Sequence, residues 1–228
     1  MKKLFFILSI VTMAFVACQS NAENAESVTT TEAQEAAAAP ADAGVAYAVN
    51  TESSVINWVG YKPGKQSHNG TMKLQSGKIT VKDGTPVSGS FVIDINSLEN
   101  IDLADTPDKK TKLEGHLKSG DFFEVEKFPT GKFVMTGLTP LSGNPDANYT
   151  VSGNLILKDI TKGIEIPANV SVTDAGVTVV TPEFTINRTE WGVNFGSGVI
   201  GTIKDQMIAD DVKLKINLVA NTQVADAK

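Results

Sequence analysis

Few side chains in this sequence could serve as nucleophiles, general bases or metal ligands. The chain has two histidines, His68 in SHNG and His116 in GHLKS, and one cysteine, Cys18. The two histidines would need a carboxylate such as Asp121 as a third ligand to bind a metal ion. Histidines this far apart in a sequence are more often surface or hydrogen-bonding groups, so we predict no metal site.

Motifs for catalysis are absent from the sequence. It contains no GxSxG, HExxH, P-loop or dinucleotide-binding glycine pattern. The acids of DFFEVEK, Glu124 and Glu126, fit a solvated loop better than a paired acid and base. We therefore predict a protein that is not an enzyme, with no catalytic residues and no cofactor. An enzyme would need titratable groups that converge inside the fold.

The first eighteen residues, MKKLFFILSIVTMAFVAC, have the character of an export signal. Two lysines precede an apolar run that is too short to span a bilayer comfortably. Cys18 follows this run and a small residue, an arrangement that resembles the lipobox of bacterial lipoproteins. We predict that residues 1–18 are a lipoprotein signal peptide and that Cys18 is the site of lipid attachment. An ordinary signal peptide with an incidental cysteine is the alternative.

Residues 19–46 are rich in alanine and carry acids but no bases. Such a segment cannot bury enough apolar surface to offset the entropy of ordering it, so we predict a disordered tether. The last residues, 222–228, are predicted to be a flexible C-terminus. The chain has a net charge of −6 and no cluster of lysine or arginine with aromatic residues, which argues against nucleic acid as a partner.

Between residues 47 and 221 the sequence alternates between apolar and polar residues. Segments such as SVINWVGYK, GSFVIDINSL, GKFVMTGL and YTVSGNLILKDI are rich in β-branched and aromatic residues and are separated by Gly, Pro, Asn or Asp. About eight such strands without alternating helices indicate an all-β domain, an antiparallel barrel or sandwich.

The alternation assigns one face of each strand to the interior. The predicted inward residues are Ile56, Trp58, Phe91, Ile93, Ile95, Phe133, Met135, Tyr149, Val151, Leu155, Leu157, Ile164, Ile166, Phe184, Ile186, Val212, Leu214 and Ile216. The predicted water-facing residues are Asn57, Asp94, Asn96, Thr136, Ser152, Asn154, Glu165, Thr185, Lys213 and Lys215.

One segment interrupts the strand pattern. Thr106 suits the N-cap of a helix, Pro107 its first position, and Leu113 and Leu117 lie four residues apart. We predict a short helix from about Pro107 to Lys118. It leads into the sequence GDFFEVEKF, so Phe122, Phe123 and Phe128 are expected in a loop before the next strand.

The motifs SVINWVGYK, SFVIDINSL, HLKSGDFFEVEKFPTGKF and YTVSGNLILKDITKGIEIP, in that order, resemble those of the YceI-like family of exported bacterial proteins. The resemblance implies a lipocalin-like barrel with an elongated apolar cavity that holds a polyisoprenoid, such as an isoprenoid quinone or a polyprenyl phosphate. It also implies that the helix and the DFF loop lie near the cavity opening. The residues expected to contact the lipid are Ile56, Trp58, Phe91, Ile93, Phe133, Met135, Leu155, Leu157, Phe184, Ile186, Phe122 and Phe123.

From these observations we expect a membrane-anchored protein of the bacterial cell envelope that stores or transports a long-chain lipid. A polar head group would meet Lys112, Lys118, Lys127 or Arg188 at the opening. A small barrel can instead fill its interior with side chains, and a structural or adhesive β-domain with a filled core is the alternative. The sequence leaves open whether the domain forms a homodimer.

Overall fold

The structure is a computed structural model that describes residues 25–35, 44–64, 67–198, 201 and 207–222. The predicted signal peptide and Cys18 lie outside the described residues, as does nearly all of the predicted C-terminal tail. Among the residues described, no helix combines the length and the apolar character needed to cross a membrane.

Strands dominate the described chain. There are twelve strands, one α-helix (α1) and one 3-10 helix: β1 (Glu26–Ser27), β2 (Thr30–Thr31), β3 (Val45–Val49), β4 (Val55–Tyr61), β5 (Ser67–Lys82), β6 (Thr85–Asn100), α1 (Pro107–Lys118), β7 (Thr130–Pro140), β8 (Tyr149–Leu157), β9 (Ile160–Thr173), β10 (Gly176–Val180), β11 (Phe184–Asn187), the 3-10 helix (Arg188–Trp191) and β12 (Asp211–Thr222).

The sheet closes into an antiparallel ring of eight positions, which confirms the predicted barrel. Strands β5 to β9 occupy five consecutive positions. β3 and β4 share another, because both pair with β5 on one side and β12 on the other. β10 and β11 together fill a seventh position. The long strand β12 fills the eighth, between the position of β10 and β11 and the position of β3 and β4. Closure removes the open edges that an isolated sheet would present.

The helix α1 spans Pro107–Lys118, as predicted, and packs against the end of β6. Thr106 is the N-cap residue, but its side chain makes no capping hydrogen bond. Its hydroxyl instead donates to the carbonyl of Leu103 at 3.3 Å. No residue of α1 is fully buried.

Asn100, whose side chain is fully buried, ties α1 to the barrel. Its amide nitrogen donates to the Asn69 carbonyl at 3.0 Å and to Asp102 Oδ1 at 2.6 Å, while its carbonyl accepts from the N–H of Leu103 at 3.0 Å. The backbone N–H of Asn100 donates to Glu114 of α1 at 2.7 Å. Every polar group of this buried amide thus has a partner, as burial requires.

The prediction of a disordered tether over residues 19–46 is wrong for residues 25–35, and for Val45 and Ala46, which begin β3. Residues 25–35 form β1, which runs parallel to β11, and β2, which runs antiparallel to β9. Val28 is only 7% exposed. Residues 26–31 pair with β11 and β9, and the segment covers two predicted water-facing residues, Asn154 and Thr185, each only 8% exposed. Their alternation was interpreted correctly, but a second layer of chain removes them from water.

Candidate functional site

An apolar cavity of about 250 Å³ lies inside the barrel. It extends from Trp58 and Phe122 at the end that carries α1 to Pro86 beside the β5–β6 turn at the opposite end. Its described wall is apolar except for Thr181 and Arg188. Protein cores are close-packed, with few voids larger than a water molecule, so a cavity of this size is not a packing defect. The structure therefore lacks the filled core that the alternative, a structural or adhesive β-domain, requires.

The twelve residues predicted to contact the lipid chain lie on the wall of this cavity, whereas Lys112, Lys118 and Lys127, expected at a head group, do not line it. The twelve residues come from five strands and the loop after α1: Ile56, Trp58, Phe91, Ile93, Phe122, Phe123, Phe133, Met135, Leu155, Leu157, Phe184 and Ile186. Period-two alternation was sufficient to find the residues that lie on strands, because the strands alternate regularly at these positions. Their contact with a ligand stays a prediction.

The prediction missed wall residues on the longer strands. Leu74 and Ile79 of β5, Leu98 of β6 and Leu138 of β7 all line the cavity. Pairing shifts in register between Leu74 and Ser76 of β5 and between Met135 and Gly137 of β7. A bulge adds one residue and so reverses which positions point inward. In MKLQSGKITV the apolar residues change from even positions, Met72 and Leu74, to odd positions, Ile79 and Val81. This change was the signal in the sequence that indicated the bulge.

Arg188 is the one charged side chain on the described wall, and it is 7% exposed. Its Nε donates to the Ala209 carbonyl at 3.0 Å, Nη1 donates to the Val193 carbonyl, and Nη2 donates to Ile208 at 3.2 Å and to Asp210 at 3.3 Å. Burial lowers the pKa of Arg188, and Asp210 partly opposes this effect. The guanidinium therefore holds the segments on either side of residues 194–207 together rather than standing free at an opening.

Three rings, those of His116, Phe122 and Phe195, pack together at the α1 end of the barrel. The ring of His116 packs edge-on against Phe122 at 5.0 Å between centroids and against Phe195 at 4.8 Å. Phe122 is 5% exposed, whereas Phe195 is 40% exposed. Nε2 of His116 also lies 2.9 Å from the carboxylate of Asp121. The loop after α1 and the loop after the 3-10 helix thus meet over the cavity.

Lys158, in the β8–β9 turn, fastens the phenylalanine loop. Its Nζ donates to the Phe122 carbonyl at 2.9 Å and pairs with Glu124 at 2.6 Å. The hydrogen bond from Lys158 lowers the pKa of Glu124. Phe123 is half-buried on the cavity wall, and Lys127 lies over the ring of Phe128 at 4.7 Å. Phe122 is therefore a packed residue at the α1 end of the barrel.

His68 and His116 do not share a site. Nδ1 of His68 lies 2.8 Å from Oδ2 of Asp102, whose Oδ1 accepts from the N–H of Asn69 at 2.8 Å. Burial raises the pKa of Asp102, but hydrogen bonds from Asn69, His68 and Asn100 outweigh it and hold the pKa below its usual value. In the part of the chain that the structure describes, no group of three His, Cys, Asp or Glu could hold a metal ion.

The closed antiparallel ring with an apolar interior places the protein in the class of lipocalin-like barrels. The YceI-like domain family matches residues 47–220, from β3 to β12. The chain belongs to the YceI-like family.

Solved structures share the fold at low sequence identity. BcnA of Burkholderia cenocepacia is 22% identical, with a TM-score of 0.57 over 76% of this chain and 99% of that one. A domain from Saccharophagus degradans, described as polyisoprenoid-binding and implicated in plant cell wall breakdown, is 17% identical, with a TM-score of 0.53 over 78% and 99% of the two chains.

A curated sequence relative gives a shorter match. The UPF0312 protein plu2095 of Photorhabdus laumondii is 27% identical over 99 residues, which is 43% of this chain and 46% of the relative. The match therefore spans less than half of the length of either protein.

Proposed function

We propose that this protein is a membrane-anchored carrier that holds a long-chain apolar lipid of the polyisoprenoid type in its barrel, for transport or storage. The observation that carries the proposal is the cavity itself, because it runs from one end of the barrel to the other and its described wall is almost wholly apolar. The description of the Saccharophagus degradans domain as polyisoprenoid-binding supports the same class of ligand.

The energetics suit a carrier. Burial of a hydrocarbon chain gains roughly 0.8 kcal/mol per CH2 on leaving water. A bilayer already supplies most of this gain, so transfer from the bilayer into the barrel is close to neutral. The protein therefore shields the chain across water and can release it again, and the proposal includes no catalytic step.

The expected test is extraction of the purified protein with organic solvent, followed by mass spectrometry. A long isoprenoid chain should be recovered in a near-stoichiometric amount. The stripped protein should then bind added isoprenoid quinone with a change in tryptophan fluorescence, since both Trp58 and Trp191 line the cavity. Recovery of no lipid, together with no response to the quinone, would overturn the proposal.

Membrane anchoring is proposed through acyl chains on Cys18, the only cysteine in the chain. More than one acyl chain would give stable attachment. Because β1 begins at Glu26, eight residue steps separate the anchor from the barrel, a reach of at most about 28 Å. The barrel would thus stay close to the membrane from which it takes lipid.

Cys18→Ser tests the anchor. The variant should move from the membrane fraction to the soluble fraction of the cell envelope, and its mature mass should lack acyl groups. A conservative change outside the lipobox, Ser20→Ala, serves as the control. A Cys18→Ser variant that still sediments with membranes would contradict the anchoring proposal.

A further inference from the structure

The barrel wall has a seam at the position that β10 and β11 share. β10 pairs with the C-terminal part of β9 through residues 176–180, but β11, which continues the same position in the ring, pairs with β12 and with β1. Within the described strands, β9 and β11 do not pair with each other. The N-terminal half of β9 and the whole of β11 therefore border a gap in the wall.

Residues 26–31 lie across this gap. Glu26 and Ser27 pair with Phe184 and Thr185 of β11, and the N–H of Val28 donates to the Thr185 carbonyl at 2.9 Å. The chain then crosses to β9, where β2 pairs with residues 163 and 164. The segment is paired first to one side of the seam and then to the other, with two register pairs on each side.

The cavity wall behind the segment is thin. Val28, the one fully buried side chain among residues 25–35, belongs to the same buried cluster as Ile164, Phe184 and Ile186. These three residues also line the cavity. A single layer of side chains and the N-terminal segment thus separate the cavity from solvent at the seam.

The barrel surface is shaped to receive this segment. Asn154 of β8 accepts from the N–H of Gln34 at 2.8 Å and donates to its carbonyl at 2.7 Å. A Cβ at Gly163 would lie 2.8 Å from the Glu32 carbonyl oxygen and closer still to the Thr31 hydroxyl. The segment precedes residues 47–220, which the family model matches.

We propose that the seam between β9 and β11 is a side entrance to the cavity and that residues 26–34, named here the strap, are its detachable closure. This inference rests on the proposed lipid-carrier function. It assigns lipid passage to the side of the barrel, whereas the resemblance placed the opening at the helix and the DFF loop.

The strap is the part of the wall that opens most easily. Short pairing and a single buried side chain give little protection against local unfolding, whereas the neighbouring strands are held by longer ladders. At the α1 end, in contrast, the ring of Phe122 is packed and Lys158 fastens its backbone carbonyl. When the strap leaves, the apolar side chains at the seam offer a lipid chain a path that avoids water.

Gly163→Ala is the most selective perturbation. The three nearest atoms to the added methyl group all belong to the strap, so the change loosens the strap while the barrel strands remain paired. Val28→Asn should loosen it from the inner side, because it buries a polar group without a partner. Thr29→Asn, at the exposed neighbouring position, is the matched control.

The assay is stopped-flow transfer of a fluorescent polyisoprenoid, the anthraniloyl ester of geranylgeraniol, between phosphatidylcholine vesicles and the full chain. Energy transfer from Trp58 and Trp191, which both line the cavity, reports loading. Gly163→Ala and Val28→Asn should raise the loading and release rates together by about tenfold and leave the equilibrium affinity unchanged. Thr29→Asn should behave as wild type.

Deletion of residues 25–35 should give the same fast rates, and Gly163→Ala should then add nothing, because the atoms it displaces are gone. Circular dichroism melts identify any variant that fails to fold. Unchanged rates in folded Gly163→Ala and Val28→Asn, or a faster release alone with weaker affinity, would overturn the side entrance and leave the carrier intact. Absence of loading by the wild-type protein would overturn both.

Discussion

Replacement of Phe122 by alanine tests whether the α1 end of the barrel is a packed closure. Phe122 is 5% exposed, and its ring lies 5.0 Å from that of His116 and 5.3 Å from that of Phe195. Truncation of a buried phenylalanine to alanine typically costs about 3–5 kcal/mol. This range already includes the lost ring contacts, and the new void would join the existing cavity rather than collapse.

We therefore expect Phe122→Ala to lower the free energy of unfolding by about 4 kcal/mol. For a domain of this size, that loss lowers the melting temperature by about 8–16 °C. Urea denaturation followed by circular dichroism measures the effect. The protein must be stripped of lipid first, because a ligand that binds only the folded state adds its own stabilisation.

Phe128→Ala, in the same loop, is the control. Phe128 is half-buried, and the ring contact with Lys127 at 4.7 Å is of a kind worth only about 0.5–1 kcal/mol at exposed sites. Its truncation should cost less than about 2 kcal/mol. Similar losses for the two variants, or a loss below about 1 kcal/mol for Phe122→Ala, would refute the packed closure.

Two further predictions concern charged groups. The pKa of Asp102 is below its ordinary value of 3.8 in the folded state, so its contribution to stability is present above that value and is lost as the pH falls through the lowered pKa. Asp102→Asn should thus be less stable than wild type at pH 7 by urea denaturation, with a difference that shrinks below pH 3.8. Arg188→Met should cost about 3–5 kcal/mol, because it leaves Asp210 and three carbonyl groups without their donor. If Arg188→Met melts like wild type, the guanidinium does not hold these segments.

Local sequence signals were sufficient for the elements of the barrel. Alternation such as that of Phe91, Ile93 and Ile95 depends on the backbone pleat alone, so it predicts which side chains point inward without knowledge of the partner strand. The helix was predictable for a similar reason, since Pro107 after Thr106 starts a helix locally. Alternation along one strand does not locate a β-bulge, because the extra residue is defined by pairing with another strand.

The N-terminal segment shows the limit most clearly. Residues 25–35 are polar and acidic, and composition alone predicts disorder. Val28 has no apolar neighbours in sequence to mark it as buried. Val28 becomes buried because the seam between β9 and β11 offers unpaired backbone groups and an apolar surface of side chains. Both exist only after the barrel has closed.

The sequence by itself determined the strand composition, the inward residues of the regular strands and the single helix, since each follows from contacts between residues close in the chain. Only the tertiary structure decided that the interior is a cavity, that Arg188 is tied to backbone carbonyl groups, and that the strap lies over the seam. These depend on ring closure and on distances between residues far apart in sequence. No local pattern encodes how much space eight strand positions enclose.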